Sequence, residues 1–430
     1  MASLDLPSAY DATKGWDANL NWVPRNVRSL PVAVAPEAGS VALLHGTSDG
    51  YTVQARAADS GEVRWSSAPW NPPAPVEGAE GDPELGEAAE IPDVITIRQN
   101  GREYVIAYSH GLRGKDALHE GTEVIRLAVY PADASGGGVK PLREIDVPGS
   151  AGTGGTRVTT LGGRLMVSWG NKGPSAKRSA TVDVATGKVH SYGGTDALLP
   201  QCAEVLFCTE SIAAQTVNGP LVVLEEGGFG VPGTWFSNGV RPAGVADKAG
   251  FPESWNGEVY GVTGGHFLAS WNPGPDASAG ADMIWSVHEA ATGELKAETQ
   301  CGSDRDRRST ASRGYPAVAS PDGRYMAAGP VAFDLKRRKG VCLQGDGDRK
   351  TILLAAVRND GTAYGGVEDR TRGSSKDTVV AEVDLSDPTG ATKALGVGTD
   401  IPIMTDVNGS GLFITRDADR NILVSLRSER

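Results

Sequence analysis

One motif recurs through the 430-residue chain: two apolar runs rich in Val, Ile, Leu and Tyr, joined by a tight turn that ends in glycine. It occurs at residues 32–35 and 41–44 around Gly39, and at 94–97 and 104–108 around Asn100-Gly101. It returns at 158–161 and 165–169 around Gly162-Gly163, and at 212–217 and 221–224 around Asn218-Gly219. Residues 259–262 and 267–271 enclose Gly264-Gly265, and 318–320 and 325–328 enclose Asp322-Gly323. The run 352–357 precedes Asp360-Gly361, and 403–407 with 412–415 encloses Asn408-Gly409. Hairpin turns that match strand twist need positive φ, which glycine adopts at little cost and Asn or Asp tolerates. The eight turn glycines, from Gly39 to Gly409, lie 38 to 62 residues apart, enough for four strands per unit and too much for a hairpin alone.

The second half of each unit supports four strands. A third run leads into Asp-x-x-Thr-Gly or a relative and then a fourth run, most clearly in Val182-Asp183-Val184-Ala185-Thr186-Gly187-Lys188-Val189. Glu289 takes the acidic place before Thr292-Gly293, while Asp334 and Asp384 begin the same way without the Thr-Gly. Such a carboxylate accepts bonds from backbone N–H groups two and three residues on, so these acids are expected to cap turns and not to catalyse.

These turns resemble the signature of the PQQ-like family of β-propellers, Ala-x-Asp-x-x-Thr-Gly-x-x-x-Trp. The stretch from Ala55 keeps Ala55, Gly61 and Trp65, with Ala57 in place of the Asp and Ser60 in place of the Thr. Later copies keep the turn and lose the Trp, with Ser191 and Ala297 in its place. The chain looks most like secreted or lipid-anchored bacterial proteins with PQQ-like or WD40-like repeats. The family's quinone enzymes use adjacent cysteines and a stacking Trp, and adjacent cysteines do not occur here, so no quinone or other cofactor is expected.

Radial repetition leaves only short strand edges exposed, so the expectation is an all-β, single β-propeller of eight four-stranded blades, with seven as the alternative count. The last unit has runs at 403–407, 412–415 and 422–426. The N-terminal segment 1–29 offers a strand at 16–23 to complete it and close the ring, leaving 30–430 as the propeller. Alternating strand direction puts the tight turns on one side and the long connections on the other: 68–92, 109–122, 170–179, 193–211, 240–258, 272–281, 302–315 and 368–378. Rigid scaffolds place binding in such loops. Tyr108, His110, Trp169 and Trp271 stand where second strands reach that side and are the candidate ligand-binding residues. The acidic stretch 75–93 reads as a mobile flap.

Motifs for acyl transfer, phosphate binding, dinucleotide binding and zinc hydrolysis are absent, and no catalytic or metal-ligating residue is nominated. A net charge of −12 disfavours nucleic acid as a partner. No run is apolar enough over roughly 20 residues to cross a bilayer as a helix. The four cysteines form two candidate disulfides, Cys202 with Cys208 and Cys301 with Cys342. With the resemblance, they imply an extracytoplasmic protein, secreted or held at a membrane through a removed N-terminal segment. The expected function is a non-enzymatic binding or scaffold platform for a protein or cell-envelope polymer; the alternative is a propeller enzyme, a carbohydrate-active lyase or hydrolase with a central site. Oligomeric state is left open.

Overall fold

A computed structural model describes residues 4–27, 29–81, 88–149, 156–169, 178–192, 198–203, 210–224, 227–245, 257–273, 282–302, 317–346, 348–368, 378–387, 389–416 and 421–430. The fold is all-β, with two four-residue helices, α1 (Pro200–Ala203) and α2 (Ser237–Val240), among the described residues. Two compact units are distinguished: Met1–Ala2, Thr13–Thr195 and Ile414–Ser428 in the first, and Ser3–Ala12, Asp196–Phe413 and Glu429–Arg430 in the second.

The N-terminal strand β1 (Tyr10–Leu20) pairs with the C-terminal end of the chain. In the first unit, β2 (Val32–Ala35), β3 (Ser40–Thr47), β4 (Gly50–Ala57) and β5 (Val63–Ser67) form an antiparallel meander. Next come β6 (Asp93–Gln99), β7 (Arg102–Arg113) and β8 (Thr122–Pro131). After them β9 (Gly136–Val139) joins the outer edge of β5 in parallel, and β10 (Arg143–Pro148) completes the second sheet in the order β10-β8-β7-β6. A third sheet holds β11 (Arg157–Leu161), β12 (Arg164–Trp169), β13 (Arg178–Asp183) and β14 (Lys188–Tyr192).

The second sheet is buried on both faces. Ile106, Leu127 and Val129 on one face pack with Leu165, Val167 and Val182 of the third sheet. Val105, Ala107 and Tyr130 on the other pack with Ala55 and Trp65 of the first. Each fully buried aliphatic side chain contributes about 1.5–3 kcal/mol.

The second unit begins with β15 (Glu210–Thr216), β16 (Gly219–Leu224), β17 (Phe229–Val231) and β18 (Trp235–Phe236). An eight-stranded sheet follows, made of two antiparallel quartets: β19 (Glu258–Thr263), β20 (His266–Trp271), β21 (Ile284–Glu289) and β22 (Leu295–Gln300), then β23 (Val318–Ala319), β24 (Tyr325–Ala328), β25 (Val331–Asp334) and β26 (Lys339–Cys342). A single parallel pair, Glu298 with Lys339, joins β22 to β26. The last quartet is β27 (Ile352–Val357), β28 (Thr362–Val367), β29 (Val379–Asp384) and β30 (Ala391–Val397).

At the C-terminus, β31 (Ser410–Arg416) and β32 (Ile422–Glu429) pair with the N-terminal strand in the order β1-β32-β31. A buried charge pins this pairing: Arg427 Nη2 donates to Asp17 Oδ1 at 2.6 Å, and Ser425 Oγ donates to the same oxygen at 2.7 Å. Arg427 Nη1 donates to the Trp16 carbonyl at 3.0 Å. Gly15 makes the approach possible, because at its φ of 137° a Cβ would lie 1.9 Å from the Leu426 carbonyl oxygen.

The turn chemistry behaves as expected. Asn100 and Gly101 have φ of 53° and 76°, placing Gln99 opposite Arg102 across a two-residue loop. Asp183 Oδ1 accepts from the N–H of Thr186 at 2.9 Å, and Asp384 Oδ1 from that of Ser386 at 2.8 Å. Three expected spans differ. The N-terminal strand is Tyr10–Leu20, displaced from 16–23, because its length is set by pairing with β32. Residues 403–407 form no strand beyond a bridge from Met404 to Leu412. The expected loop 109–122 is shorter, since β7 runs to Arg113 and β8 starts at Thr122. Most of connections 170–179, 193–211, 240–258, 272–281, 302–315 and 368–378 lie outside the described residues.

Cys301 and Cys342 are disulfide-bonded with Cα atoms 5.3 Å apart, tying the two quartets of the eight-stranded sheet together beside their single parallel pair. Cys202 is also disulfide-bonded, and its expected partner Cys208 lies outside the described residues. The first bridge spans a sequence separation of 41. Replacing Cys301 and Cys342 together by Ser is expected to lower stability by about 2–4 kcal/mol through loop-closure entropy. Urea unfolding of parent and variant measures it, and coincident midpoints would refute it.

Candidate functional site

The register of the second sheet gathers chemistry at one end of one face. Asp93 opens β6 and lies directly opposite Tyr108 on β7. His110 follows two residues on, so its side chain shares the face of Tyr108. Across the next pairing His110 stands opposite Ile125, and Glu123, two residues before Ile125, is its diagonal neighbour. Further along, the same face carries Ile95, Ile106 and Leu127, so the polar residues cap an apolar core. Glu90 reaches this cap from the connection leading into β6.

His110 Nδ1 lies 3.1 Å from Glu90 Oε2, and Nε2 lies 2.5 Å from Glu123 Oε1. Its side chain is 8% exposed. Burial alone would depress the imidazole, but the bonds and charges of Glu90 and Glu123 outweigh it and raise His110 above its ordinary value. Burial likewise opposes ionisation of Glu90, yet the bond and charge of His110 and the Thr156 N–H hold its carboxyl below the usual range. Below the raised value of His110 both ring nitrogens donate, and the imidazolium then sits between two carboxylates. Glu90 Oε1 also accepts from the Thr156 N–H at 3.0 Å, so the arrangement reaches the residue before β11.

Beside it, Asp93 is 5% exposed. Its Oδ1 accepts from the Val94 N–H at 2.7 Å, and its Oδ2 from Ser29 Oγ at 2.6 Å and Tyr108 Oη at 3.1 Å. Burial pushes the Asp93 carboxyl up even though these three donors counter it. Tyr108 is driven well above the ordinary phenol value, first by burial and then by the charge and bond of Asp93.

Of the four aromatic and imidazole residues nominated from the sequence, Tyr108 and His110 come together here. Trp169 belongs to the apolar core beneath them, at the end of β12. Trp271 is fully buried in the second unit and works differently. Its Nε1–H donates to Ser286 Oγ at 2.6 Å, Ser286 donates to His288 Nε2 at 2.7 Å, and His288 Nδ1–H donates to the Gly293 carbonyl at 2.9 Å. The imidazole also stacks on Phe267, centroids 4.9 Å apart. This chain of donors holds a turn from within the core. Burial pushes the His288 imidazole down to about 4, with the Gly293 carbonyl acting weakly the other way.

Sequence reasoning missed Glu90, Asp93 and Glu123. Glu90 and Asp93 were absorbed into the acidic stretch 75–93, expected to be a mobile flap. Part of that stretch, 82–87, lies outside the described residues. Elsewhere it is tied down: Ala89 bridges Val27, and in the same connection Ala74 bridges Leu112. Carboxylates at strand starts beside apolar runs, Asp93 before Val94-Ile95 and Glu123 before Val124-Ile125, were the available signal. Among the described residues no group of three or more His, Cys, Asp or Glu is placed to hold a metal ion; the two nitrogens of His110 face different carboxylates.

The two histidines titrate in opposite senses. His110, raised in the fold, contributes stability that is complete below about pH 6.5 and is lost as pH rises through its elevated value. His110→Gln is expected to remove that alkaline loss and to lower stability near neutrality by about 2 kcal/mol, leaving two half-buried carboxylates without their cation. His288, depressed to about 4 from 6.5, contributes stability that is complete above about pH 6.5 and falls away as pH drops toward 4. The full excursion is on the order of 3 kcal/mol, and His288→Gln should flatten it. Urea unfolding of both variants between pH 4 and 9 checks both signs; unchanged slopes would refute them.

No protein-family model matches the chain, and no curated protein matches it. Among solved structures, it is similar to a luciferin-regenerating enzyme, with 7% identity over 96% of this chain and 95% of that one and a TM-score of 0.32. It is also similar to the α-L-arabinofuranosidase Arb93A from Fusarium graminearum in complex with an iminosugar inhibitor, with 9% identity over 99% and 96% of the two chains and a TM-score of 0.30.

Proposed function

We propose that the chain is a PQQ-like β-propeller that acts as an extracytoplasmic, non-enzymatic platform, recognising a protein or envelope polymer through the end of its sheets where the long connections emerge. What supports the radial reading is repetition of the antiparallel quartet. Seven quartets follow one another, and an eighth set joins β1, β32 and β31, with Met404 bridged to Leu412 as its remaining member. A disulfide, and the lack of a membrane-crossing helix among the described residues, are compatible with an extracytoplasmic setting.

The observation that carries the platform reading is the closure of the polar cap on itself. Both nitrogens of His110 and both oxygens of Asp93 are bonded to protein groups, which leaves neither as a free base or acid. Such a cap stiffens the sheet end from which the β7–β8 hairpin projects. At the hairpin tip Asp116 Oδ1 accepts from the N–H groups of Leu118 and His119 at 2.7 and 2.9 Å, and Leu118 is 88% exposed.

One observation favours the enzyme reading instead: Asp93, a buried carboxyl raised by its surroundings, bonds the exposed Ser29 and the Tyr108 hydroxyl. One experiment separates the two. The intact protein is co-sedimented with isolated bacterial envelopes, alongside Leu118→Asp at the connection end and Arg337→Glu at the opposite, turn end of its own sheet. The platform reading expects at least a tenfold loss of retention for Leu118→Asp and none for Arg337→Glu. Equal retention by both refutes it, and depolymerisation of envelope polysaccharide that stops in Asp93→Asn would establish the enzyme.

A further inference from the structure

A second polar cluster lies inside the second unit, where residues distant in sequence converge. Tyr10 comes from β1, Tyr364 from β28, Glu429 from β32, and Arg358 immediately follows β27. The rings of Tyr10 and Tyr364 are 6.3 Å apart, and the Arg358 guanidinium lies 5.8 Å from the centre of the Tyr10 ring. Arg358 Nη2 donates to Glu429 Oε2 at 3.0 Å, and Nη1 pairs with Asp360 Oδ2 at 2.9 Å.

Four buried atoms of this cluster make no well-formed hydrogen bond within the protein, Tyr10 Oη, Tyr364 Oη, Arg358 Nε and Glu429 Oε1, although the Arg358 guanidinium lies within reach of the Tyr364 hydroxyl and the Asp406 backbone within reach of the Glu429 carboxylate. Tyr10 is 1% exposed and Tyr364 fully buried, so bulk solvent does not serve their hydroxyls. Each such group left dry would lower the folding constant on the order of tenfold or more. Four together would consume much of the stability of an ordinary domain. The cluster is therefore not expected to stay dry.

The chemistry narrows the guest. Glu429, with Asp360 and Asp406 close enough to act on its neighbours electrostatically, repels an anion. The Arg358 guanidinium repels a metal cation. Three of the four atoms donate, from two phenols and a guanidinium, and one carboxylate oxygen accepts. Close packing limits size: a Cβ added at Gly411 would lie 2.6 Å from the Tyr10 ring. We infer that this cluster is an internal water site, where a bound water accepts from the Tyr10 and Tyr364 hydroxyls and donates to Glu429 Oε1, beside Arg358 Nε. A water needs two to four polar partners, and this set supplies them. The site links the N-terminal strand, the C-terminal strand and the β27–β30 sheet through one hydrogen-bonded guest.

The test removes hydroxyls without changing shape. Tyr10→Phe and Tyr364→Phe are each expected to lower the folding constant about tenfold, and the double variant by clearly less than the product, because both hydroxyls address shared water. Single variants as stable as the parent, or more stable, would show that the hydroxyls were dry and overturn the site. A crystal structure of the parent supplies a readout independent of folding. Solvent density within about 3 Å of at least two of the four atoms is expected, and density touching none overturns the inference.

Discussion

Everything that positions side chains in this protein depends on cross-strand register, and register depends on a few turns. At Asn100-Gly101 two consecutive positive φ angles close the loop so that Gln99 faces Arg102. Counting back along β6 and β7, the same pairing sets Asp93 beside Tyr108. A slip of one residue would turn Ile95, Ile97 and Asp93 to the opposite face and dissolve both the apolar core and its polar cap. Local backbone chemistry at a turn thus decides which groups meet some 20 Å away along the strands.

Hairpins were legible because their information is local. The span Val32–Ala35 and the turn caps at Asp183 and Asp384 follow from residues adjacent in sequence. Strand ends were less legible because partners set them. The N-terminal strand begins at Tyr10, well before the apolar Trp16, since its neighbour β32 and not its own apolar pattern sets its extent. Residues 403–407 look like a strand and hold only one bridge. Between β16 and β18 the strands shrink to three and two residues, too short to show periodicity. The candidate site was half legible. Tyr108 and His110 stood out by type, whereas Glu90 and Glu123 acquire meaning only when the fold brings them to opposite sides of one ring.

The protein uses histidine in two ways that burial alone does not distinguish. His110 is flanked by carboxylates, which hold its proton to higher pH. His288, stacked on Phe267 and placed between a hydroxyl and a carbonyl, stays neutral. Each arrangement satisfies both ring nitrogens, which removes the penalty of an unmatched polar atom inside a sheet core. The difference lies in the partners: anions stabilise the proton on one ring, and neutral dipoles in a dry setting do not hold it on the other.

The parallel additions at the sheet margins bear on colloidal behaviour. An unpaired outer strand is a template for a foreign chain and a starting point for fibrils. Here β9 covers part of the margin of β5, and β26 touches that of β22 at the single pair of Glu298 with Lys339, so both margins are partly occupied from within the same molecule. The margin left by β14 begins with Lys188 and that of β30 carries Lys393, charges that discourage a second polypeptide from zipping on. Internal pairing and charge at these margins oppose the self-polymerisation to which short antiparallel ribbons are prone.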